Sequence, residues 1–427
     1  MSSHEVICLL TKNGTAGDVR PLLRLAAGLK QRGYRIYFLA DQGYRESARR
    51  IGITEEEWFC PGDIPLSIFL RTESAQRWLR GKAPRVSDLI SARKFRKNQS
   101  EKIEAFLEHL EAWNNSRIIA SIASISAWSL LHRFGPACAK IISCPAPFQP
   151  SSTFSLAPPG IFWQTQVGKW FFRNLRQRRI TGNTREKYLK FMHKSYHLVS
   201  VSPEFFPRPK DWLPNMQVTG YIPLRDMEDW QPPDSLVQFL ESKDAPVYVG
   251  FGSLPFFAGQ WGKKLATEII EAFSILGLRC IIQSCDLSDF PHPPPVYIMD
   301  YAAPHHWLFP RCQVAVHNGG YGTTHACLSA GKPMVIYPFQ ADQFLWAKKA
   351  AEFGIGPNDV MRIGKLNRKR LIADILFALE PDTQKAAQRF SAAIREEDGF
   401  PVQMSAIESI IEHHQRNLSP LEWNMPL

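Results

Sequence analysis

Short apolar runs alternate with helical patterns in two separate parts of this chain, and this alternation limits the possible folds more than any other feature. Near the N-terminus, HEVICLL predicts a strand, Pro21 begins a helical pattern that ends at Gly33, and YRIYFLA predicts a second strand. Parallel strands joined through helices form sheets that are covered on both faces. The sequence therefore predicts an α/β protein with doubly wound, Rossmann-like sheets.

The same alternation starts again after residue 245 and predicts a second domain. PVYVGFGS, LRCIIQS, VYIMD, QVAVH and MVIYP predict strands, and helical patterns cover KKLATEIIEAFSIL and THACLSAG. A chain of 427 residues exceeds one ordinary domain, and the stretch after residue 220 is rich in Pro and Asp, as linkers are. We predict a first domain over 1–220, a linker with the lead-in to the second domain over 221–245, a second domain over 246–400, and a C-terminal helix within 401–427 that can cross back to the first domain.

The positive charge of the chain is concentrated in two segments. The net charge is +11, yet 71–102 holds ten Lys/Arg against three Asp/Glu, and 165–194 holds nine against one. The second segment also carries several aromatic residues, which fits peripheral contact with an anionic membrane. The alternative is a core helix with a solvated basic face. We expect no nucleic-acid partner, because no known binding motif accompanies the charge.

Targeting and cysteine patterns point to a cytoplasmic protein. The first apolar run, VICLL, is too short for the apolar region of a signal peptide. The eight cysteines form no CxxC pair and have no matching histidine cluster, so we expect reduced thiols and no metal site.

A glycine-rich turn between a strand and a helix is the clearest candidate for ligand binding. QVAVH leads directly into NGGYGTT, where Gly320 and Gly322 allow a ligand to approach the backbone. A helix start offers unpaired N–H groups and suits phosphate, and Thr323 and Thr324 add hydroxyl groups there. His317, at the strand end, can donate to a phosphate oxygen. The alternative is a tight turn with Thr323 as the helix N-cap and His317 as a buried, satisfied side chain.

Two further features of the second domain strengthen the hypothesis of a ligand site. A second glycine loop, GFGS, ends at Ser253 after another predicted strand. Asp342 and Gln343 follow MVIYP, and a carboxylate beside an amide suits the vicinal hydroxyls of a sugar, although Asp342 as a helix N-cap is an equal alternative. Neither a P-loop nor an early GxGxxG is present, which argues against an NTPase or a nicotinamide-dependent dehydrogenase.

The stretch APHHWLFPRCQVAVHNGGYGTTHACLSAGKPMVIYPFQADQF resembles the donor-binding signature of the UDP-glycosyltransferase superfamily (family 1). It is most similar to the sterol 3-β-glucosyltransferase branch and its microbial relatives, which typically show PHDWLFP, HHGGAGTT and PFFGDQ. NGTAGDVRP resembles the GTRGDVQP loop of that branch, and the linker and VYVGFGS agree as well. The similarity spans both predicted domains and is weaker over 55–215.

The resemblance implies the GT-B fold, in which two Rossmann-like domains face each other across a cleft, with the acceptor in the first domain and the nucleotide sugar in the second. It implies an inverting, metal-independent transfer of a hexose, expected to be glucose, from a UDP-sugar to a hydroxyl of a lipophilic acceptor such as a sterol, a lipid or a polyketide-like natural product. Asp18 stands where the family places its catalytic base. The donor-binding residues carried over are Ser253, Tyr301, Ala302, His317, Gly320, Gly322, Thr323, Asp342 and Gln343, with the nucleobase against the backbone of 301–303.

Departures from the family pattern leave details open. His306 replaces the acidic residue of PHDWLFP, and Ala302 stands where many plant relatives stack uracil on Trp, so the base can be uracil or thymine. Tyr321 replaces a small residue, and its ring is expected to narrow the donor pocket. No cofactor is expected, and no DxD motif for a metal is present. A nucleotide-sugar 2-epimerase of the same fold and a catalytically degenerate GT-B binding or partner protein remain as alternatives.

Overall fold

The structure is a computed structural model, and it describes residues 6–11, 16–61, 71–73, 77, 101–110, 118–124, 127–147, 191–223, 230–242, 244–339, 342–394 and 397–426. The chain divides into two compact units. Unit 1 comprises Met1–Leu66, Ile90–Arg225 and Glu397–Leu427, and unit 2 comprises Ser67–Leu89 and Asp226–Glu396. Most of the two basic segments, with the aromatic residues of the second, lies outside the described residues, so their predicted membrane contact stays a prediction.

Unit 1 is built on a seven-stranded parallel sheet. The strands are β1 Val6–Leu10, β2 Arg35–Leu39, β3 Trp58–Phe59, β4 Ile118–Ala123, β5 Ala139–Cys144, β6 Tyr196–Val199 and β7 Met216–Val218, in the order β3-β2-β1-β4-β5-β6-β7. Every neighbouring pair is parallel. Among the described residues before the C-terminal helix, α1 Ala16–Gln31 and α2 Arg45–Arg50 are helices, and residues 101–110 and 191–193 are also helical.

Helix α1 begins earlier than the sequence predicts. It starts at Ala16, so Asp18 lies in its first turn and Pro21 lies inside the helix rather than at its start. Pro21 removes one backbone hydrogen bond. The buried side chains of Val19 and Leu22, at 0% and 1% exposure, offset that loss by packing into the core.

Unit 2 is built on a five-stranded parallel sheet with the order β10-β9-β8-β11-β12. Its strands are β8 Val247–Gly250, β9 Cys280–Gln283, β10 Val296–Met299, β11 Val314–His317 and β12 Met334–Ile336. Its helices are α3 Asp234–Glu241, α4 Gly259–Leu276, α5 His305–Leu308, α6 Tyr321–Ala330, α7 Asp342–Glu352, α8 Arg368–Leu379 and α9 Pro381–Ile394.

The five strands of unit 2 end side by side. In the sheet register, His317 pairs with Gly250 and with Ile336, and Gln283 pairs with Gly250 and with Met299. The loops that follow all five strands therefore lie along one edge of the sheet, which is the edge where open α/β sheets bind ligands.

The C-terminal helix, α10 Gly399–Gln415, belongs to unit 1. Its buried face joins the same apolar core as α1. At its start the two chain segments that connect the units lie together, because Tyr221 N–H donates to Glu397 Oε1 at 2.7 Å and Gly399 N–H donates to the Tyr221 carbonyl at 2.7 Å. Arg24 of α1 donates to Asp398 Oδ2 at 2.9 Å and also to the Pro223 carbonyl. Of the helices that the structure describes, none combines the length and apolarity needed to cross a bilayer.

Candidate functional site

The chain turns sharply where β11 passes into α6, and the turn brings the starts of two helices together. Gly319 has a positive φ of 79°, which L side chains rarely adopt. A Cβ atom there would lie 2.9 Å from Ile336 Cγ2 and 3.1 Å from the Gln343 carbonyl oxygen. Glycine is therefore required at this position, and it sets the start of α6 beside the start of α7.

The first turn of α6 offers backbone N–H groups. Gly320 is the N-cap residue, and within the described chain no side chain caps it. Its carbonyl accepts from Thr324 N–H at 2.9 Å, so the N–H groups of Tyr321, Gly322 and Thr323 precede the first intrahelical bond. This positive end of the helix suits an anion. The alternative expectation that Thr323 is the N-cap is wrong, because Thr323 lies inside the helix.

His317, at the end of β11, is enclosed in the interior of unit 2. It is 0% exposed, its Nδ1 accepts from the Gly319 N–H at 3.0 Å, and its Nε2 lies 4.0 Å from Cys327 Sγ. Burial, and then the neighbouring His305, lower its pKa to about 3, so the ring is neutral. The ring holds the glycine turn in this geometry. Donation to a phosphate, as the sequence predicts, would require the ring to leave these contacts.

The loop after β8 lies beside the glycine turn, with Asn318 between them. Gly252 has a positive φ of 68°, and Ser253 is exposed. Asn318 Oδ1 lies 3.6 Å from the position of a Cβ atom on Gly252 and 3.6 Å from the same position on Gly320. The two glycine loops that the sequence singles out are therefore neighbours at the edge of the sheet.

Asp342 and Gln343 lie in the first turn of α7, where the glycine turn approaches it. The indole N–H of Trp346 donates to Asp342 Oδ2 at 3.2 Å and fixes that carboxylate one helical turn away. Gln343 is buried, and its Oε1 accepts from the Phe339 N–H at 2.7 Å. The amide of Gln343 thus stabilises the turn after β12.

The segment after β10 includes one residue whose backbone groups have no hydrogen-bond partner among the described residues. Gln283 Nε2 donates to the Tyr301 carbonyl at 3.0 Å, and the hydroxyls of Tyr297 and Tyr301 lie 3.0 Å apart. Ala302 is exposed. The N–H and C=O of Ala303 make no hydrogen bond with any part of the chain that the structure describes. A free donor beside a free acceptor can pair with the edge of a nucleobase.

The ring of Tyr321 lies in the protein interior. Tyr321 is 3% exposed, and its ring centre lies 4.9 Å from that of His325. His325 in turn contacts Trp346 edge-on at 6.0 Å. The expectation that this ring narrows the donor pocket is wrong for this geometry, because the ring is buried against His325 of the same helix.

Three residues of this edge were not assigned a role from the sequence. They are Asn318, Gln283 and Trp346. Asn318 had a visible signal, since it precedes two glycines and stands where the resembling family typically has His. Gln283 is a polar residue at the end of an apolar strand, and Trp346 stands four residues after Asp342, which is the spacing of neighbours on a helix.

Asp18 belongs to unit 1, whereas every predicted donor-binding residue belongs to unit 2. Asp18 is half-buried in the first turn of α1, in the segment that follows the carboxyl end of β1. Across the residues described, no group of three or more His, Cys, Asp or Glu side chains is arranged to hold a metal ion.

Comparison with known proteins agrees with the resemblance in the sequence. Residues 280–398 match the family described as erythromycin biosynthesis protein CIII-like, C-terminal domain. The chain is 36% identical over 221 residues to sterol 3-beta-glucosyltransferase UGT80A2 of Arabidopsis thaliana, covering 51% of this chain and 34% of that protein. It is 27% identical over 425 residues to UGT80B1 of the same plant, covering 92% of this chain and 66% of that protein. The chain thus spans between about a third and two thirds of these relatives, and its predicted similarity to this branch is confirmed.

Two solved structures share the fold. The glycotransferase of kitacinnamycin has a TM-score of 0.63 at 16% identity, covering 96% of this chain and 100% of that chain. CalG4, the calicheamicin glycosyltransferase, has a TM-score of 0.62 at 16% identity, covering 96% of this chain and 98% of that chain. The predicted GT-B class of fold, with two Rossmann-like units in one chain, is confirmed.

Proposed function

We propose that this chain transfers a hexose from a UDP-sugar, or a TDP-sugar, to a hydroxyl of a lipophilic acceptor of the sterol class, with inversion at the anomeric carbon and without a metal. The observation that carries the proposal is the carboxyl edge of the sheet in unit 2. There the uncapped start of α6, two adjacent glycine loops and the polar start of α7 lie together.

The edge supplies groups for each part of a nucleotide sugar. The free backbone of Ala303 matches the N3–H and carbonyl edge of uracil or thymine. The N–H groups of Gly322 and Thr323, with the positive end of the helix dipole, suit a diphosphate and stabilise the charge that develops as it leaves. Asp342, fixed by Trp346, suits sugar hydroxyls. These groups supply charge stabilisation through the protein itself, so the proposal requires no metal.

Asp18 is the proposed base. A base takes the proton of the acceptor hydroxyl while that oxygen attacks the anomeric carbon and the bond to the diphosphate breaks. Attack from the side opposite the leaving group inverts the configuration. Asp18 lies at the start of a helix in unit 1, where the positive end of the dipole stabilises its carboxylate.

The class of acceptor follows from the relatives. Both Arabidopsis thaliana relatives are named as sterol 3-beta-glucosyltransferases, and a third relative with that name, from Candida albicans, is 29% identical over 465 residues. We therefore place a 3β-hydroxysterol first among acceptors and glucose first among sugars.

Incubation with UDP-glucose and a 3β-hydroxysterol, followed by mass spectrometry, tests the proposal. We expect free UDP and a sterol whose mass has increased by one hexose, in the presence of EDTA as well. An epimerised or hydrolysed nucleotide sugar without transfer to any acceptor would favour a 2-epimerase. Binding of UDP without turnover of any nucleotide sugar would favour a degenerate binding protein.

A further inference from the structure

The position of Asn318 suggests a role that neither the sequence pattern nor the relatives assign. Asn318 follows His317 directly in the turn between β11 and α6. The two side chains differ completely in their surroundings. Both nitrogens of the His317 ring face protein groups, namely Gly319 N–H and Cys327 Sγ. The carboxamide of Asn318 makes no hydrogen bond with any residue that the structure describes.

An unpaired carboxamide is unusual in a residue that is 4% exposed, because burying a polar group without a partner costs about 1–3 kcal/mol. Its Oδ1 is fully enclosed between the two glycine loops. Its Nδ2 also has no partner among the described residues, and it is not fully enclosed. The N–H donors of Asn318 thus lie beside the backbone donors at the start of α6.

We propose that Asn318 binds the diphosphate of the nucleotide sugar through its carboxamide N–H, while His317 acts as a positioning residue that holds the turn. This inference rests on the proposed function and names a contact within the same site. A diphosphate is an acceptor, and the surrounding backbone groups at the start of α6 are donors of the same kind. An amide N–H that faces a phosphate oxygen adds one more donor to that set.

Titration calorimetry with UDP, on the full chain and its variants, tests the contact. Asn318→Ala removes the donor, and we expect UDP affinity to fall about tenfold to a hundredfold, the range for hydrogen bonds to charged groups. Asn318→Asp keeps the shape but places a carboxylate against the phosphates, and we expect a loss of at least about a hundredfold.

Asn367→Asp is the matched control. Asn367 is an exposed N-cap of α8 in the same unit, and its Oδ1 accepts from Arg370 N–H at 3.0 Å. Asp serves equally well as an N-cap, so this variant makes the same charge change away from the site and should bind UDP like the parent chain. Thermal unfolding of each variant confirms folding, and Asn318→Ala supplies the answer if Asn318→Asp does not fold.

The outcomes separate this inference from the proposed function. A parent chain that binds no UDP would overturn the nucleotide site as a whole. A parent chain that binds UDP, together with folded Asn318 variants of unchanged affinity, would overturn the role of Asn318 alone. Loss confined to affinity for UDP-glucose, with UDP affinity unchanged, would assign Asn318 to the sugar and would also overturn the diphosphate contact.

Discussion

At the scale of single residues, hydrogen bonds to neighbouring backbone show which buried side chains hold the site. His317 and Gln343 are buried, and each accepts from a nearby backbone N–H. Asp18 and Asp342 are half-buried at helix starts, where a negative charge is stabilised. We therefore assign chemistry to the two carboxylates, and support of the turns to His317 and Gln343.

Asp18→Asn should remove the proposed base while preserving the shape of the side chain. We expect the transfer rate to fall by about 10²- to 10⁴-fold, the usual contribution of a general base. UDP affinity should remain unchanged, because the donor-binding residues belong to unit 2. Rate measurement with UDP-glucose and a sterol, beside calorimetry with UDP, checks both parts.

Asp211→Asn is the control for that variant, since it removes an exposed carboxylate from the same unit. It should transfer sugar at the parent rate. If Asp18→Asn also retained the parent rate, the assignment of Asp18 as the base would be wrong.

The sequence singles out the turn after β11 as the candidate site, but it could not predict which polar side chain of that turn makes hydrogen bonds. The spacing of QVAVHNGGYGTT places both His317 and Asn318 at the end of a strand. The enclosure of His317 depends on Cys327, which a helix brings over the ring from ten residues further on. No local pattern reports that contact, so the sequence alone does not show that packing encloses His317, whose phosphate role stays a prediction.

At the scale of elements, the C-terminal helix shows that Gly and Pro, which often interrupt helices, can also mark the start of one. The sequence places this helix within 401–427, whereas α10 begins at Gly399. Asp398 is its N-cap and accepts from the Phe400 N–H at 3.0 Å. Pro401 lies in the first turn, where its missing N–H costs nothing. GFP thus marks a helix start here, although Gly and Pro commonly mark a loop.

The crossing of the two connecting segments gives a prediction for Gly399. A Cβ atom at Gly399 would lie 2.2 Å from the Gly220 carbonyl oxygen, so the two backbones are too close for any side chain. We expect Gly399→Ala to reduce the free energy of unfolding by about 1–3 kcal/mol, the usual cost of overpacking. Urea denaturation followed by tryptophan fluorescence measures the change.

Gly43→Ala provides the comparison in the same unit. Gly43 is exposed, and a Cβ atom there would meet its nearest neighbour at 3.5 Å, an ordinary contact. This substitution should change the free energy of unfolding by no more than about 0.5 kcal/mol. Equal stability of the Gly399 and Gly43 variants would contradict the close crossing.

At the scale of the whole molecule, buried histidines make stability depend on pH. Burial lowers the pKa of His197 to about 3, of His317 to about 3 and of His325 to about 4, from an ordinary value of 6.5. As pH falls below 6.5, these three histidines bind protons in the unfolded chain but stay neutral in the folded chain. The stability associated with these three neutral rings is therefore present above pH 6.5 and is lost as pH falls. Burial raises the pKa of Glu397, which acts in the opposite direction.

We expect the free energy of unfolding to decrease between pH 7 and pH 5, by about 1.4 kcal/mol per pH unit for each histidine once the pH is well below 6.5. His325→Gln removes one of these groups and should reduce the slope by that amount. Urea denaturation at several pH values gives the slope of the free energy of unfolding against pH for the parent chain and for the variant. An unchanged slope in the variant would show that His325 is protonated in the folded chain.

The sequence predicted the class of fold for the whole molecule because two runs of alternating strands and helices leave few alternatives. It also predicted a C-terminal helix that can cross back to the first domain, and α10 belongs to unit 1, but it did not predict that 67–89 would join unit 2. Such assignments depend on contacts between distant segments, for example the salt bridge of Arg71 with Asp286 at 2.5 Å, which no local pattern encodes.

The anomeric configuration of the product tests the central claim most directly. In UDP-glucose the sugar is α-linked, so transfer with inversion must give a β-glucoside. Proton NMR of the sterol product distinguishes the two anomers through the coupling constant of the anomeric proton. We predict a β-linked glucose on the sterol hydroxyl. An α-linked product, or no glucoside from any UDP-sugar, would contradict the proposed inverting transfer.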